Sequence, residues 1–137
     1  MEEPNFTSRP YGERAGDFQL VEEWGKSHGC VHFVETLLPP VGLMVEDDQG
    51  PIAVAWLHLS AGIGVGIVEH LFTRPGLDFK QAGDAVGYLI GCLKEVARSH
   101  DYGVLMAFTH PGIARAAMQH GFVRANTNLT QLFLRTD

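Results

Sequence analysis

Glu69 and His70 stand side by side at the centre of an apolar run, Ile67, Val68, Leu71 and Phe72. A carboxylate in an apolar strand is desolvated, and desolvation moves its pKa up toward the range useful for taking a proton from an ammonium. Glu69 is therefore the candidate general base. The plainer alternative is a Glu69 that pairs with a neighbouring Arg or His and only orders its surroundings. His70 is the second candidate catalytic group. In a regular strand it points to the face opposite Glu69, as a hydrogen-bonded, half-buried histidine; a bulge would alter that. Pro75 and Gly76 then end the strand, because proline removes a ladder donor and glycine accepts φ > 0. Asp78 is placed to cap a helix, with Gln81 completing a capping-box pair. A strand that feeds a helix N-terminus through a tight loop offers free backbone N–H groups and the positive end of the helix dipole. That geometry suits a phosphate.

Other clusters carry less chemistry. Gly62, Gly64 and Gly66 look like a phosphate loop, but they lead into a strand and break the G-x-G-x-x-G spacing. A close backbone approach or a kinked strand explains them better. Gly83, Gly87 and Gly91 form a stripe beside a helix's apolar arc. It is read either as tight packing against another element or as Gly83 alone admitting a diphosphate. His28, Cys30 and His32 share one loop without a second cluster at zinc spacing, so no metal is assigned. Cys92 reads as a core residue, and no G-x-S-x-G nucleophile elbow occurs.

Periodicity supplies the elements that position these groups. Asn5 to Arg9 suits a short edge strand, and Asp17 is expected to cap a helix over Phe18 to Ser27. Val41 to Glu46, Ile52 to Leu59 and Val65 to Thr73 read as strands of an antiparallel meander, the first two joined by the turn Asp47-Asp48-Gln49-Gly50. The long helix runs from Phe79 to about His100, with Ala82, Ala85, Val86, Leu89, Ile90 and Leu93 on one arc. Val104 to Thr109 is a strand, Ile113 to His120 a short helix stopped by Gly121, and Phe122 to Ala125 and Leu129 to Arg135 are strand-like. The expected fold class is α/β (α+β), helices packed on a mixed sheet in one domain over 1–137.

A chain of 137 residues, 45% hydrophobic and 19% charged, fits one ordinary globular domain. Its net charge of −6 argues against nucleic-acid binding, which needs a basic face. Two cysteines without a CxxC pair suggest free thiols and a cytoplasmic setting. The polar, acidic N-terminus is not a secretory signal, and no apolar run is long enough to span a membrane.

The element order resembles the GNAT superfamily of N-acetyltransferases over Phe18 to Leu134. The pieces that carry the resemblance are LPPVGLMVEDDQGPIAVAWLHL, the strand ending in Arg74-Pro75, the long helix, and Met118-Gln-His-Gly-Phe122. The pattern is most similar to small members encoded by bacteriophages. The resemblance implies a mostly antiparallel central sheet flanked by helices, and acetyl-CoA or another acyl-CoA as co-substrate. Acetyl-CoA would lie in a wedge where strand Ile67–Thr73 splays from Val104–Thr109. Backbone near Phe72 and Thr73 would bond the pantetheine arm, and backbone N–H groups near Leu71 to Thr73 would polarise the thioester carbonyl. The pyrophosphate would sit on Phe79, Lys80, Gln81, Ala82, Gly83, Asp84 and Ala85. Two places differ from the family's pattern. Lys80 stands where a Gln or Arg begins the pyrophosphate signature, and Asp84 puts a negative charge within it. In the short helix, Ala117 occupies the position of a thiol-protonating tyrosine, and His110 that of an asparagine at the helix start.

Three functional classes follow. The first is an acyltransferase that acetylates an amine of a small molecule or protein. The second is a binding module of the same fold, such as a phage protein docking on a host protein. The third is self-association as a homodimer through exposed sheet edges.

Overall fold

The computed structural model describes residues 4–30, 33–132 and 134–136. Along the chain lie β1 (Thr7–Pro10), α1 (Asp17–Ser27), a short 3-10 turn (Glu35–Leu37), β2 (Val41–Asp47), β3 (Gly50–Leu59), β4 (Val65–Thr73), α2 (Phe79–Ser99), β5 (Val104–Ala107) and α3 (Pro111–Gln119). The five strands form one sheet in the order β1-β2-β3-β4-β5. The first four are mutually antiparallel, and β5 alone runs parallel to its neighbour β4. A parallel pair needs a crossover, and α2 supplies it.

Strand β3 explains why the sheet is covered on both sides. Its residues Ile52 to Leu57 are all buried, as expected of a strand without a wet face. Ala53, Ala55 and Leu57 meet α2 through Val86, Leu89 and Leu93, with Ala116 and Ala117 of α3. Val54 and Trp56 meet Val21 and Trp24 of α1, together with Met44 and Phe72. The helical arc read from the sequence is the buried one, and Lys94, Glu95 and Arg98 face water. Gly66 marks a close approach. A Cβ there would lie 3.0 Å from Leu105 Cδ2 and from Leu57 Cδ1.

Asp17 does not cap α1. Gly16 holds the N-cap position, and the Asp17 carboxylate is taken by Arg9 at 2.8 Å and by the backbone N–H of Gly12 at 2.9 Å. A bidentate, charge-assisted pair outcompetes a single capping bond. The C-terminal segment departs further from expectation. After α3 the described residues form no strand, and Val123, Leu129, Leu132 and Leu134 are exposed. Their sequence fits a strand, but β propensity is realised only against a partner edge, and β5 pairs with β4 alone.

The glycine stripe of α2 divides into three different positions. A Cβ on Gly87 would meet the His120 ring at 2.4 Å, one on Gly91 would meet nothing, and one on Gly83 would meet only Gln119 Oε1 at 3.9 Å. An interior glycine costs a helix about 1 kcal/mol relative to alanine. Gly91→Ala should therefore raise the melting temperature by roughly 3 °C. Gly87→Ala should forfeit that gain, because the ring must leave its bond to the Gly83 carbonyl. Paired thermal melts of the two variants check this.

Candidate functional site

The site begins where pairing stops. Strand β5 is matched to β4 only over Val65 to Val68, so β4 continues through Glu69 to Thr73 with that edge open. A bulge lies at the start of this open stretch. Val54 opposes Phe72 and Trp56 opposes Glu69, so His70 and Leu71 face Ala55 alone. His70 takes φ 54°, a left-handed value uncommon for a non-glycine residue.

The bulge corrects the expectation that His70 points away from Glu69. Glu69 is the ladder partner of Trp56, and the His70 ring packs against Trp56, Phe33 and Phe72. Both groups thus reach the α1 side of the sheet. His70 is enclosed by rings, and burial lowers its pKa below the ordinary histidine value, opposed by the charge of Glu69. The apolar neighbours of Glu69 do not enclose it fully. Its side chain keeps 31% exposure and faces His58 Nε2 at 3.7 Å. His58 is thus the histidine nearest the Glu69 carboxylate across the two strands.

On the other side of the open edge lies a cleft of about 480 Å³. Its walls are the end of β4, the first turns of α2 and α3, and His28 at the end of α1. Two helix N-termini converge on it. At α2, Asp78 accepts from Gln81 N–H at 2.8 Å and Gln81 Oε1 accepts from Asp78 N–H at 3.1 Å, which completes the expected capping box. The box leaves the N–H group of Phe79 without an intrahelical acceptor. At α3, His110 is the N-cap without a side-chain cap bond, and Pro111 opens the helix. Gly112 and Ile113 beside it line the cleft. Both helix dipoles present their positive ends here.

The candidate cofactor residues separate cleanly. Leu71, Thr73, Phe79, Ala82, Gly83 and His110 line the cleft. Phe72 and Ala85 are buried in the two cores. Gln81 is tied back in its cap, while Lys80 pairs with Asp84 at 2.8 Å on the exposed side of α2. Arg74 also touches the cleft, but its guanidinium holds Asp47 at 3.0 Å and keeps that carboxyl below its ordinary pKa.

Two residues of the site were not found in their roles from sequence. His28 was weighed only as a metal ligand with Cys30 and His32; His32 lies outside the described residues. The His28 ring instead reaches across to β4, with Nε2 2.8 Å from the Thr73 carbonyl oxygen. A carbonyl only accepts, so Nε2 carries the proton. His58 was not singled out, although it stands two residues from Trp56 and so shares its face.

No family model matches the chain, and none of the curated proteins matches it. Solved structures do match. One is an aminoglycoside acetyltransferase from an uncultured soil metagenomic sample, in complex with sisomicin. It aligns with a TM-score of 0.68 at 7% identity over 97% of this chain and 97% of its own. The tandem GNAT protein from the clavulanic acid biosynthesis pathway aligns with a TM-score of 0.61 at 19% identity, covering 87% of this chain and 43% of its own. N-acetylglutamate synthase from Neisseria gonorrhoeae, complexed with coenzyme A and L-arginine, aligns with a TM-score of 0.63 at 18% identity over 90% of this chain and 28% of its own. The chain thus spans less than half of the last two. Identities this low speak for architecture alone. The mostly antiparallel five-stranded sheet flanked by helices matches the GNAT fold.

Proposed function

We propose that the protein binds an acyl-CoA in the cleft at the open end of β4 and transfers the acyl group to an amine. The observation that carries this reading is the convergence of two helix N-termini on one cleft beside unpaired strand backbone. A diphosphate is matched by the N–H groups of Phe79, Gly112 and Ile113. Gly83 fits the same group, because a side chain there would occupy the cleft. Backbone at Leu71 to Thr73 holds the pantetheine arm and polarises the thioester carbonyl. Glu69, across the strand, takes the proton of the incoming ammonium, and His58 beside it opens to solvent. Ala117 is buried and offers no proton.

Titration calorimetry with acetyl-CoA tests the reading. The wild type should bind in the micromolar range. Gly83→Leu should weaken binding at least about tenfold, near 1.4 kcal/mol, without a fall in melting temperature. Absence of heat at millimolar acetyl-CoA overturns the acyl-CoA reading. It would leave the fold as a binding module, for instance one that docks on a protein partner.

A further inference from the structure

We propose that the acceptor is a primary amine at the end of an apolar chain, which lies along the uncovered part of the α1 side of the sheet with its ammonium at Glu69. The inference rests on the acyl-CoA reading above and names its acceptor class.

The two sides of the sheet are not covered alike. On the α2 side the packing reaches β5, where Leu105 and Ala107 lie against the core. On the α1 side, Val21 and Trp24 pack with Val54, Trp56 and Phe72, and β5 lies outside that cluster. Val104 and Met106 alternate with Leu105 and Ala107 along β5. They are 56% and 41% exposed, and Phe108 just beyond them is 55% exposed. Register places the rest of this surface. Val65 pairs with Val104 and Ile67 with Met106. On the other flank of β4, Ile67 pairs with His58 and Glu69 with Trp56. Gly66 and Val68 turn the opposite way, into the core. Val65, Ile67, Val104 and Met106 therefore form one apolar stripe, with Glu69 at its end. A contiguous apolar surface of this kind marks a ligand or partner site.

The charge on the stripe matches one kind of ligand. Glu69 is the one carboxylate of β4, and β5 carries no ionisable side chain. His58 borders Glu69 at 3.7 Å, and the His70 ring is engaged by Phe33, Trp56 and Phe72. A lone carboxylate at the end of an apolar stripe complements one ammonium at the end of an apolar chain. A second ammonium farther along the ligand would lose water over Ile67 and Met106 without a counter-charge, which is costly. From Glu69 to Val65 the stripe runs about 13 Å, at about 3.3 Å per residue, room for a chain of eight carbons. Its end is also well placed. Glu69 is one residue past Val68–Ala107, the last β4–β5 pair, so an amine held there stands at the start of the open backbone that receives the thioester. The ammonium gives one proton to Glu69 and its nitrogen bonds to the thioester carbon. The carbon–sulfur bond breaks, and the second surplus proton of nitrogen goes to sulfur, giving an amide and CoA thiol.

Rates with butylamine, hexylamine and octylamine as acceptors test this. Their ammonium groups are equally acidic, so the proton step is common to all. The kcat/KM should rise about twofold per added methylene, because a chain on an open surface leaves water on one side only. Hexylamine and 1,6-diaminohexane have the same length, and the diamine should react at least about tenfold less well. Met106→Glu supplies a carboxylate for the far ammonium and should invert that order. A flat series, or a wild type that prefers the diamine, overturns the acceptor class and leaves the acyl-CoA reading standing. An NMR titration of the wild type covers a variant that folds poorly. In the CoA complex, octylamine should shift the Met106 methyl resonance saturably. A methyl that ignores octylamine overturns the proposal, and a doubled mass in sedimentation would then identify a second copy as what covers the stripe. Calorimetry that finds no acetyl-CoA binding is a separate result, and it removes the acyl-CoA reading and this inference together.

Discussion

With a primary alkylamine as acceptor, Glu69→Gln should slow acetyl transfer at neutral pH by about 10²–10⁴-fold, the usual worth of a positioned base. Gln keeps the size and the polarity of the side chain but cannot accept a proton. An alkylamine has a pKa of about 10.4 and is almost wholly ammonium at neutral pH, so it cannot attack until the proton is removed. The deficit should therefore shrink as pH rises toward about 10, where free amine becomes abundant. A residue that only anchored the ammonium would behave differently. Its loss would raise KM, with kcat little changed. Initial rates of CoA release across that pH range, for wild type and variant, separate the two. A constant ratio at every pH would remove Glu69 as the base. The surroundings of Glu69 suit the role, since its partial exposure and the His58 contact give the accepted proton a way out.

Local rules made most of the scaffold legible. Alternation and turn chemistry delimited β2, β3 and β4 to within a residue or two, and the Asp78–Gln81 spacing fixed the start of α2. Each of these is decided by neighbours in sequence. What escaped was decided by neighbours in space. The bulge at His70 is a property of the pairing with β3, since it arises from two residues opposing one. It reversed the expected direction of the ring. The Glu69–His58 contact needs the register of two strands, and the His28–Thr73 bond joins residues 45 apart. The C-terminal segment errs the other way. Phe122 to Ala125 and Leu129 to Arg135 have strand-like composition, yet Phe122 packs on the core and its N–H closes α3 on the Ala117 carbonyl, while Val123, Leu129, Leu132 and Leu134 are exposed. After α3 no described residue joins the sheet.

The same division separates the parts of the candidate site. The helix start that lines one end of the cleft was readable, because a cap and a glycine on the first turns are local signals. Lys80 looked like part of it, but an i, i+4 carboxylate, Asp84, claims its ammonium. Gly83 is the more informative residue of that segment, because the open space over its Cβ position is what the cleft needs.

Asp17→Asn should cost about 3 kcal/mol of folding stability, read by urea unfolding at neutral pH, at the low end of what breaking a buried ion pair costs. Arg9 and Asp17 are 8% and 5% exposed and meet through two bonds of 2.8 Å. Removing one partner leaves a charge without its counter-ion in a place water scarcely reaches. Glu46, at 3.2 Å from Arg9, softens the loss. The pair ties the edge strand β1 to α1, so its loss should free β1 first. Acid should reveal the same interaction. The Arg9 guanidinium, aided by the Gly12 and Arg14 N–H groups, holds the Asp17 carboxyl below its ordinary pKa against the cost of burial. Between the folded value and the unfolded value of about 3.9 the unfolded chain binds more protons, so stability rises with pH there. The contribution is complete above the unfolded value and is lost as pH falls through the folded one. Asp17→Asn has no such proton, and its stability should fall less steeply in acid. A slope should remain, because Asp47 is held low by Arg74 in the same sense. Equal acid slopes in wild type and variant would mean that the pair is already broken in solution. Replacing both partners by apolar residues, Arg9→Met with Asp17→Leu, should cost less than Asp17→Asn alone, because no charge is then left stranded.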